Sequence, residues 1–275
     1  MIARKVSQSR IREFRRVVRA YYKKNGRILA WRQVITPYRI VVSEVMLQQT
    51  QVTRVAKKYP EFLKIFPSFQ ALARAPLARV LRVWQGMGYN RRGIALKRIA
   101  QQIVGTYGGQ LPRDSEALVA LPGIGQATAA SILAFAYNQP TVFIETNIRR
   151  AFIHFFFPKK KNVTDKEIHS LVTASLDKKN PREWYWALMD YGAMLKTQPE
   201  NPNRRSQHYR AQSKFEGSNR QLRGRILKIL LQKKSISRAM LTKEAEQDDA
   251  AVMRVLRTLE QEGFISRRRG IYRVN

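Results

Sequence analysis

Apolar residues recur at helical spacing along most of the chain. Ile11, Phe14, Val17, Val18 and Tyr21 mark one face of a first helix, and Asn25-Gly26 stops it. Val45, Met46, Val52 and Val55 form a second apolar stripe in and just beyond SEVMLQQTQV, where Ser43 is a candidate cap. From Arg10 to about Leu195 the pattern predicts successive amphipathic helices. Pro37, Pro67, Pro76, Pro112, Pro122, Pro140 and Pro158 punctuate them, and no run alternates as strands do. The pattern then lapses. KTQPENPNRRSQHYRAQSKFEGSN, Lys196 to Asn219, has no aliphatic residue larger than alanine and reads as a linker or an extended surface loop. Helical spacing returns in RGRILKILLQ, SRAMLTKEAE and DDAAVMRVLRTLEQEGF. FISRRRGIYRVN then reads as two short strands around Arg269-Gly270.

Three helices followed by a basic hairpin make a winged helix-turn-helix pattern. The expected organisation is mainly α, with one helical domain over 1–195, a linker over 196–219 and a small winged helix-turn-helix domain over 220–275.

Charge narrows the function. Of the 275 residues, 52 are Lys or Arg and only 19 are Asp or Glu, a net charge of +33. That excess points to a polyanion, with nucleic acid the default. An anionic membrane is the rival, but no apolar run of about 18 residues is present to span one. There is no cysteine, so neither a disulfide framework nor a thiolate metal site is available. The Arg-rich start of the chain also has the composition of a transit peptide; its helical spacing favours a first helix with a basic outer face.

Four short stretches carry candidate chemistry. LPGIG, Leu121 to Gly125, lies between two helical stretches; Gly123 and Gly125 leave backbone N–H groups facing outward at a helix start, where a phosphate fits. In SEVMLQQTQV the adjacent amides Gln48 and Gln49, with Thr50, are polar groups able to pair with base edges. In WQGMGYNRR, Met87 lies between two glycines, Tyr89 can stack on a base, and Arg91 or Arg92 can meet phosphate. VFIETNIRR places one carboxylate, Glu145, where a β-branched run gives way to helical spacing. In the hairpin, Arg268 is a candidate for the DNA backbone or minor groove. His154 in AFIHFFF and Asp190 in LMDYGAM read as structural residues.

SEVMLQQTQV, GMGYNRR, LPGIGQATAASIL and ETNIRR, in that order and with NPREWYWALMDYGAML following, resemble the helix-hairpin-helix DNA glycosylases, and the MutY adenine glycosylases most. The resemblance runs from about Phe14 to Leu195. It implies a two-lobed helix-hairpin-helix fold in which a nucleotide is flipped from the duplex into a pocket between the lobes. It assigns Glu44 the role of proton donor and water activator. Glu145 becomes the carboxylate that stabilises an oxocarbenium-like sugar, and Asn147 the residue that organises that site. Gln49 becomes the wedge, and Thr50, Met87 and Tyr89 face the opposite base. The chemistry of those roles predicts a raised pKa at Glu44 and an ionised Glu145 beside Arg149, Arg150 and a helix N-terminus.

The chain departs from that family in five places. Glu145 stands where the family has Asp. Ala127 stands where bifunctional relatives carry a Schiff-base lysine and MutY relatives carry Ser or Tyr. The family's four iron–sulfur cysteines map to Lys196, Asn203, Ser206 and Gln212, none able to hold a cluster, so other contacts must hold that loop; the arginines and the aromatics Tyr209 and Phe215 are the candidates. A winged helix replaces the MutT-like C-terminal domain, and Tyr89-Asn90 replaces the usual GYY.

The expected protein is a monofunctional DNA glycosylase of base-excision repair, without lyase activity, acting on adenine opposite 8-oxoguanine or guanine. Uracil or thymine opposite guanine, or another modified base, is the alternative target, and a catalytically silent lesion-binding protein is the alternative class. The expected partner is double-stranded DNA with a mismatch or damaged base. No metal site or cofactor is expected beyond a monovalent cation at the hairpin. A monomer in the cytoplasm, associated with the nucleoid, completes the expectation.

Overall fold

The computed structural model describes residues 6–211 and 214–275. Helices α1 (Gln8–Asn25), α2 (Ala30–Gln33), α3 (Pro37–Leu47), α4 (Val52–Ile65), α5 (Phe69–Arg74) and α6 (Leu77–Trp84) come first. They are followed by α7 (Arg91–Thr106), α8 (Ser115–Val119), α9 (Gln126–Tyr137), α10 (Thr146–Phe156), α11 (Asp165–Ser175) and α12 (Pro181–Leu195). Helices α13 (Asn219–Lys233), α14 (Arg238–Ala245) and α15 (Asp249–Gln261) and strands β1 (Ser235–Ser237), β2 (Ile265–Arg268) and β3 (Ile271–Val274) complete the chain. Among the described residues no helix is long and apolar enough to cross a membrane.

The chain divides into two compact units. One takes the chain up to Glu44, Arg113–Ala120 and Ile124–Ala211; the other takes Val45–Pro112, Leu121–Gly123 and Gln212–Asn275. The divide therefore falls inside α3, directly after Glu44.

In the first unit α10 packs along α12, and α1 lies against α11 and α12. Ser7 caps α1 through its side chain, with the apolar face Ile11, Phe14 and Val18 buried, as the spacing predicts. Phe14 sits among aromatic rings, with centroids 4.8 Å from Phe152, 5.0 Å from Phe155 and Phe156, and 6.0 Å from Trp184. Burial of several rings at one point, tilted or edge to face, stabilises this unit. Gly192 lets the two central helices meet closely, because a Cβ there would run into the Asn147 carbonyl. The first turn of α10 is thus held against the backbone of α12.

From Lys196 onward most described residues are exposed, as the composition predicts, but the middle of the segment is pinned to the first unit. Pro202–Arg205 forms a 3-10 turn, and Asn203 and Ser206 are buried. The Asn203 amide donates to the Thr146 carbonyl at 3.0 Å, and Arg205 donates to the Phe157 and Pro158 carbonyls. Val163 and Ser206 form an isolated parallel bridge. Arginine and asparagine side chains hold this loop, as half of the expectation had it. The aromatics do not: Tyr209 and Phe215 are exposed. Small amides satisfy buried backbone groups, whereas a tyrosine or phenylalanine here would need an apolar recess. Gln212 lies outside the described residues.

In the second unit α7 packs on α5 and α6, around Tyr59, Phe62, Phe66 and Trp84. The winged helix belongs to this unit. Its sheet has the order β1-β3-β2, all antiparallel, with Arg267 opposite Tyr272 and Ile236 opposite Tyr272 on the other side. The two-residue turn Arg269–Gly270 has φ of 48° and 77°, the left-handed pair that a tight hairpin requires. The periodicity predicts β2 and β3 but not β1, whose three residues are too few to show alternation. Leu81 and Ile94 of the helical part are buried in the same apolar cluster as Leu230, Leu256, Phe264 and Tyr272.

Candidate active site

Glu145 is the N-cap of α10, in extended conformation with φ −115° and ψ 176°. Its Oε1 accepts from the backbone N–H of Asn147 at 2.7 Å and of Ile148 at 2.9 Å, and its Oε2 accepts from the Asn147 amide at 3.2 Å. A helix start leaves backbone donors free, and a carboxylate is the strongest acceptor for them. The residues before it, Val142 to Ile144, form neither helix nor strand.

The two arginines that follow divide their work. Arg150 is buried and donates to the Asn147 Oδ1 at 2.7 Å, to the Gly192 carbonyl at 2.6 Å and to the Asn201 Oδ1 at 3.0 Å. It ties Asn147 to α12 and to the 201–206 loop. Arg149 turns instead to Asp165, with two bonds of 2.7 Å. Burial pushes the Glu145 carboxyl above its ordinary value, while the two backbone N–H groups, Arg150 and Arg149 pull it down. The expected arginines and helix start are present, but burial outweighs them, so the shift runs against the ionised form that the sequence predicts.

Glu44, in α3, is the other candidate catalytic carboxylate, and it lies in the same unit. Burial pushes its pKa up to about 7, opposed by a hydrogen bond from Ser131 and by Arg32, and reinforced by the charge of Glu145. The raised value is what the sequence predicts; Ser131 is not. Ser131 is buried in α9 and its hydroxyl donates to Glu44 Oε2 at 2.5 Å, with the Thr128 carbonyl at 2.9 Å as its other acceptor. A hydroxyl has one proton, so Ser131 serves either acceptor but not both. When Glu44 is protonated, it can donate to Ser131 while Ser131 turns to Thr128. Nothing local in LPGIGQATAASIL distinguishes this serine from a packing residue.

Arg32 is fixed by Asp190. Its two terminal nitrogens donate to the two carboxylate oxygens at 2.9 Å each, and Arg27 adds bonds of 2.7 and 2.8 Å. Asp190 is thereby a structural anchor, as its setting in LMDYGAM suggests. Ser43 is buried and donates back to the Ile40 carbonyl at 2.9 Å, so it lies inside α3 and caps nothing.

The remaining sequence candidates lie in the second unit, apart from Gly125, the N-cap of α9 in the first. Gln49 is exposed with φ 52°, a strained conformation for a residue with a side chain. The Gln48 amide donates to the Gly123 carbonyl at 3.2 Å. Arg92 gathers this region. It is buried and donates to the carbonyls of Val45, Met46 and Gln48, to the Thr50 hydroxyl at 2.8 Å, and to the carbonyls of Met87 and Gly88. Both recognition stretches therefore hang on one guanidinium. Arg92 is not free to meet phosphate, the role the sequence reading shared between it and Arg91. Arg91 is exposed but ion-paired with Glu262. Met87 is buried, and its backbone N–H donates to the Trp84 carbonyl at 3.1 Å. Tyr89 is 38 % exposed with φ 45°. Arg268 is exposed in β2, beside the hairpin turn.

Similarity to known proteins follows the same division. Residues 42–175 match the HhH-GPD superfamily of base excision DNA repair proteins, and residues 221–270 match the MarR family. An adenine DNA glycosylase of Mycobacterium tuberculosis is 31 % identical over 263 residues, covering 84 % of both chains. One from Mycolicibacterium smegmatis is 31 % identical and covers 90 % of both. The chain spans about half of the Buchnera aphidicola adenine DNA glycosylase that it matches, 54 % of its length at 31 % identity. A thermostable thymine-DNA glycosylase shares the fold, with a TM-score of 0.63 at 22 % identity over 70 % of this chain and 91 % of that one. Two carboxylates on the first unit, hairpin glycines between α8 and α9, and relatives of matching length thus agree: the chain belongs to the adenine DNA glycosylase family, within the HhH-GPD superfamily of base excision DNA repair proteins.

Proposed function

We infer that the protein is a monofunctional DNA glycosylase that hydrolyses the N-glycosidic bond of adenine mispaired with 8-oxoguanine or guanine. The observation that carries the reading is the pair of unlike carboxylates, Glu44 with a pKa of about 7 and Glu145 clasped by a helix start. A purine leaves readily only when a ring nitrogen is protonated, and an acid titrating near 7 is suited to give that proton. Glu145, an acceptor for fixed backbone donors, supplies negative charge to the sugar cation that forms as the carbon–nitrogen bond breaks. Water then adds to the sugar carbon and gives its proton to Glu44, which regenerates the acid. Ala127 offers no amine for a Schiff base, so the reaction ends at an abasic site.

Gln48, Gln49, Thr50, Tyr89, Gly123, Gly125 and Arg268 are the positions we assign to DNA contact. The deciding assay follows single-turnover cleavage of duplexes that carry adenine opposite 8-oxoguanine, guanine or thymine, and uracil or thymine opposite guanine. Strand breaks should appear only after alkali and only with the adenine mispairs. Breaks without alkali, or a borohydride-trapped protein–DNA adduct, would overturn the monofunctional reading, and silence on every duplex would leave a binding protein.

Binding should also be strongly salt dependent. With about five to eight phosphates contacted, log affinity should fall with log salt at a slope of about −4 to −7. A slope near zero would contradict nucleic-acid binding at a net charge of +33.

A further inference from the structure

The winged helix reaches the Gly86–Arg91 loop of its own unit by two polar contacts. Arg220, in α13, donates to the Tyr89 hydroxyl at 3.2 Å. Glu262, just past the end of α15, takes Arg91 and Arg223 together. The Glu262 side chain is 19 % exposed and Arg223 18 %, whereas Arg91 is 71 % exposed, so a half-shielded carboxylate holds a guanidinium that otherwise stands in solvent. Arg223 is braced in turn by the Phe264 ring, 4.7 Å away. Behind these contacts, Leu81 and Ile94 share the apolar cluster of the winged helix, so the arm is seated on α6 and α7.

The loop needs such support. Tyr89 has φ 45°, a left-handed conformation that is strained for an aromatic residue and persists only where the surroundings over-determine it. Arg92 lies 5.3 Å from the Tyr89 ring centroid and binds the Met87 and Gly88 carbonyls, while Arg220 holds the ring's far end.

The opposite end of α15 is unsuited to the usual work of such a helix. A recognition helix puts its first turn into the major groove. Here that turn carries Asp248 and Asp249 after Glu246, in a chain with few acids. Asp249 pairs with Arg238 at 3.2 Å and Glu246 with Arg225 at 2.7 Å. Carboxylates already engaged by arginines would meet phosphates there.

We propose that the winged helix is a positioning arm, in which Arg220 holds Tyr89 in the conformation that meets DNA while Glu262 keeps Arg91 off the phosphates, and that the two contacts thereby set the selection of mispaired over paired adenine. The proposal deepens the glycosylase reading and rests on it. Glu262 is a positioning residue, and its charge also withholds Arg91 from non-specific phosphate contact.

Three variants test it in the whole chain. Glu262→Gln keeps the shape and removes the charge. It should strengthen binding to undamaged duplex several-fold and steepen the salt slope by about one, because one freed guanidinium neutralises one more phosphate. The rate contrast between adenine opposite 8-oxoguanine and adenine opposite thymine should shrink about tenfold, and Glu262→Asp should restore most of it. Arg220→Met, which keeps the apolar stem, should shrink the contrast without steepening the slope. A merely structural role would lower both rates together and weaken binding. An unchanged slope and contrast in Glu262→Gln would overturn the proposal. If the unmodified protein removes no base at all, it is the glycosylase reading that fails, and the slope, which needs no excision, still decides whether Glu262 restrains Arg91.

Discussion

Glu145→Gln is expected to abolish base removal while leaving DNA affinity intact or improved. Glutamine keeps one oxygen for the Asn147 and Ile148 N–H groups, so most of the roughly 1 kcal/mol that a helix cap contributes is retained and the fold should hold. What disappears is the charge. Loss of a fixed electrostatic stabiliser costs on the order of 10²–10³-fold in rate, while removal of an anion near phosphates can only help binding. Glu145→Asp is the sharper measurement. Aspartate caps helices well, yet it is shorter by one carbon–carbon bond, about 1.5 Å. If the first turn of α10, pinned by Arg150 and by the close approach at Gly192, is set for the longer side chain, the single-turnover rate should fall roughly ten- to a hundredfold. A rise would mean that glutamate is a poor substitute at this position. Full activity in Glu145→Gln would show that the carboxylate takes no part in the chemistry.

The second large effect belongs to Glu44. Glu44→Gln removes the only proton at that position and should lower the rate by about 10²–10⁴-fold. The protonated form is the working acid, so the wild-type single-turnover rate should fall as pH rises through about 7. Ser131 donates to the carboxylate and so favours the anion. Ser131→Ala should therefore raise the Glu44 pKa and carry the alkaline limb to higher pH, with the rate on the acid side little changed. A limb that stays in place in Ser131→Ala would disconnect the serine from the acid. The same limb persisting in Glu44→Gln would mean that another group titrates.

Much of this molecule was legible along the chain. Repeats of three and four residues announced α1 and the helices after it, because an amphipathic face is written in local spacing. The Arg269–Gly270 turn announced its hairpin, because few residue pairs accept two left-handed conformations. Ala127 and the absence of thiols are plain facts of composition. Glu145 could be singled out because an acid is conspicuous in so basic a chain, whereas Glu44 stood out only through the family resemblance. Tertiary structure decided the rest, since spacing and charge carry no information on partners distant in sequence. Ser131 meets Glu44 across 87 positions, and Arg150 rather than Arg149 anchors Asn147. Asn203 pins an otherwise mostly exposed loop to the Thr146 carbonyl, 57 positions away. Among the many arginines nothing local separates Arg92, buried against six oxygens of its own chain, from one free to meet phosphate. Nor does it reveal that Arg91 is held by Glu262, 171 positions away. A guanidinium reads the same in every sequence; only its surroundings in the fold determine whether it braces the protein or meets its substrate.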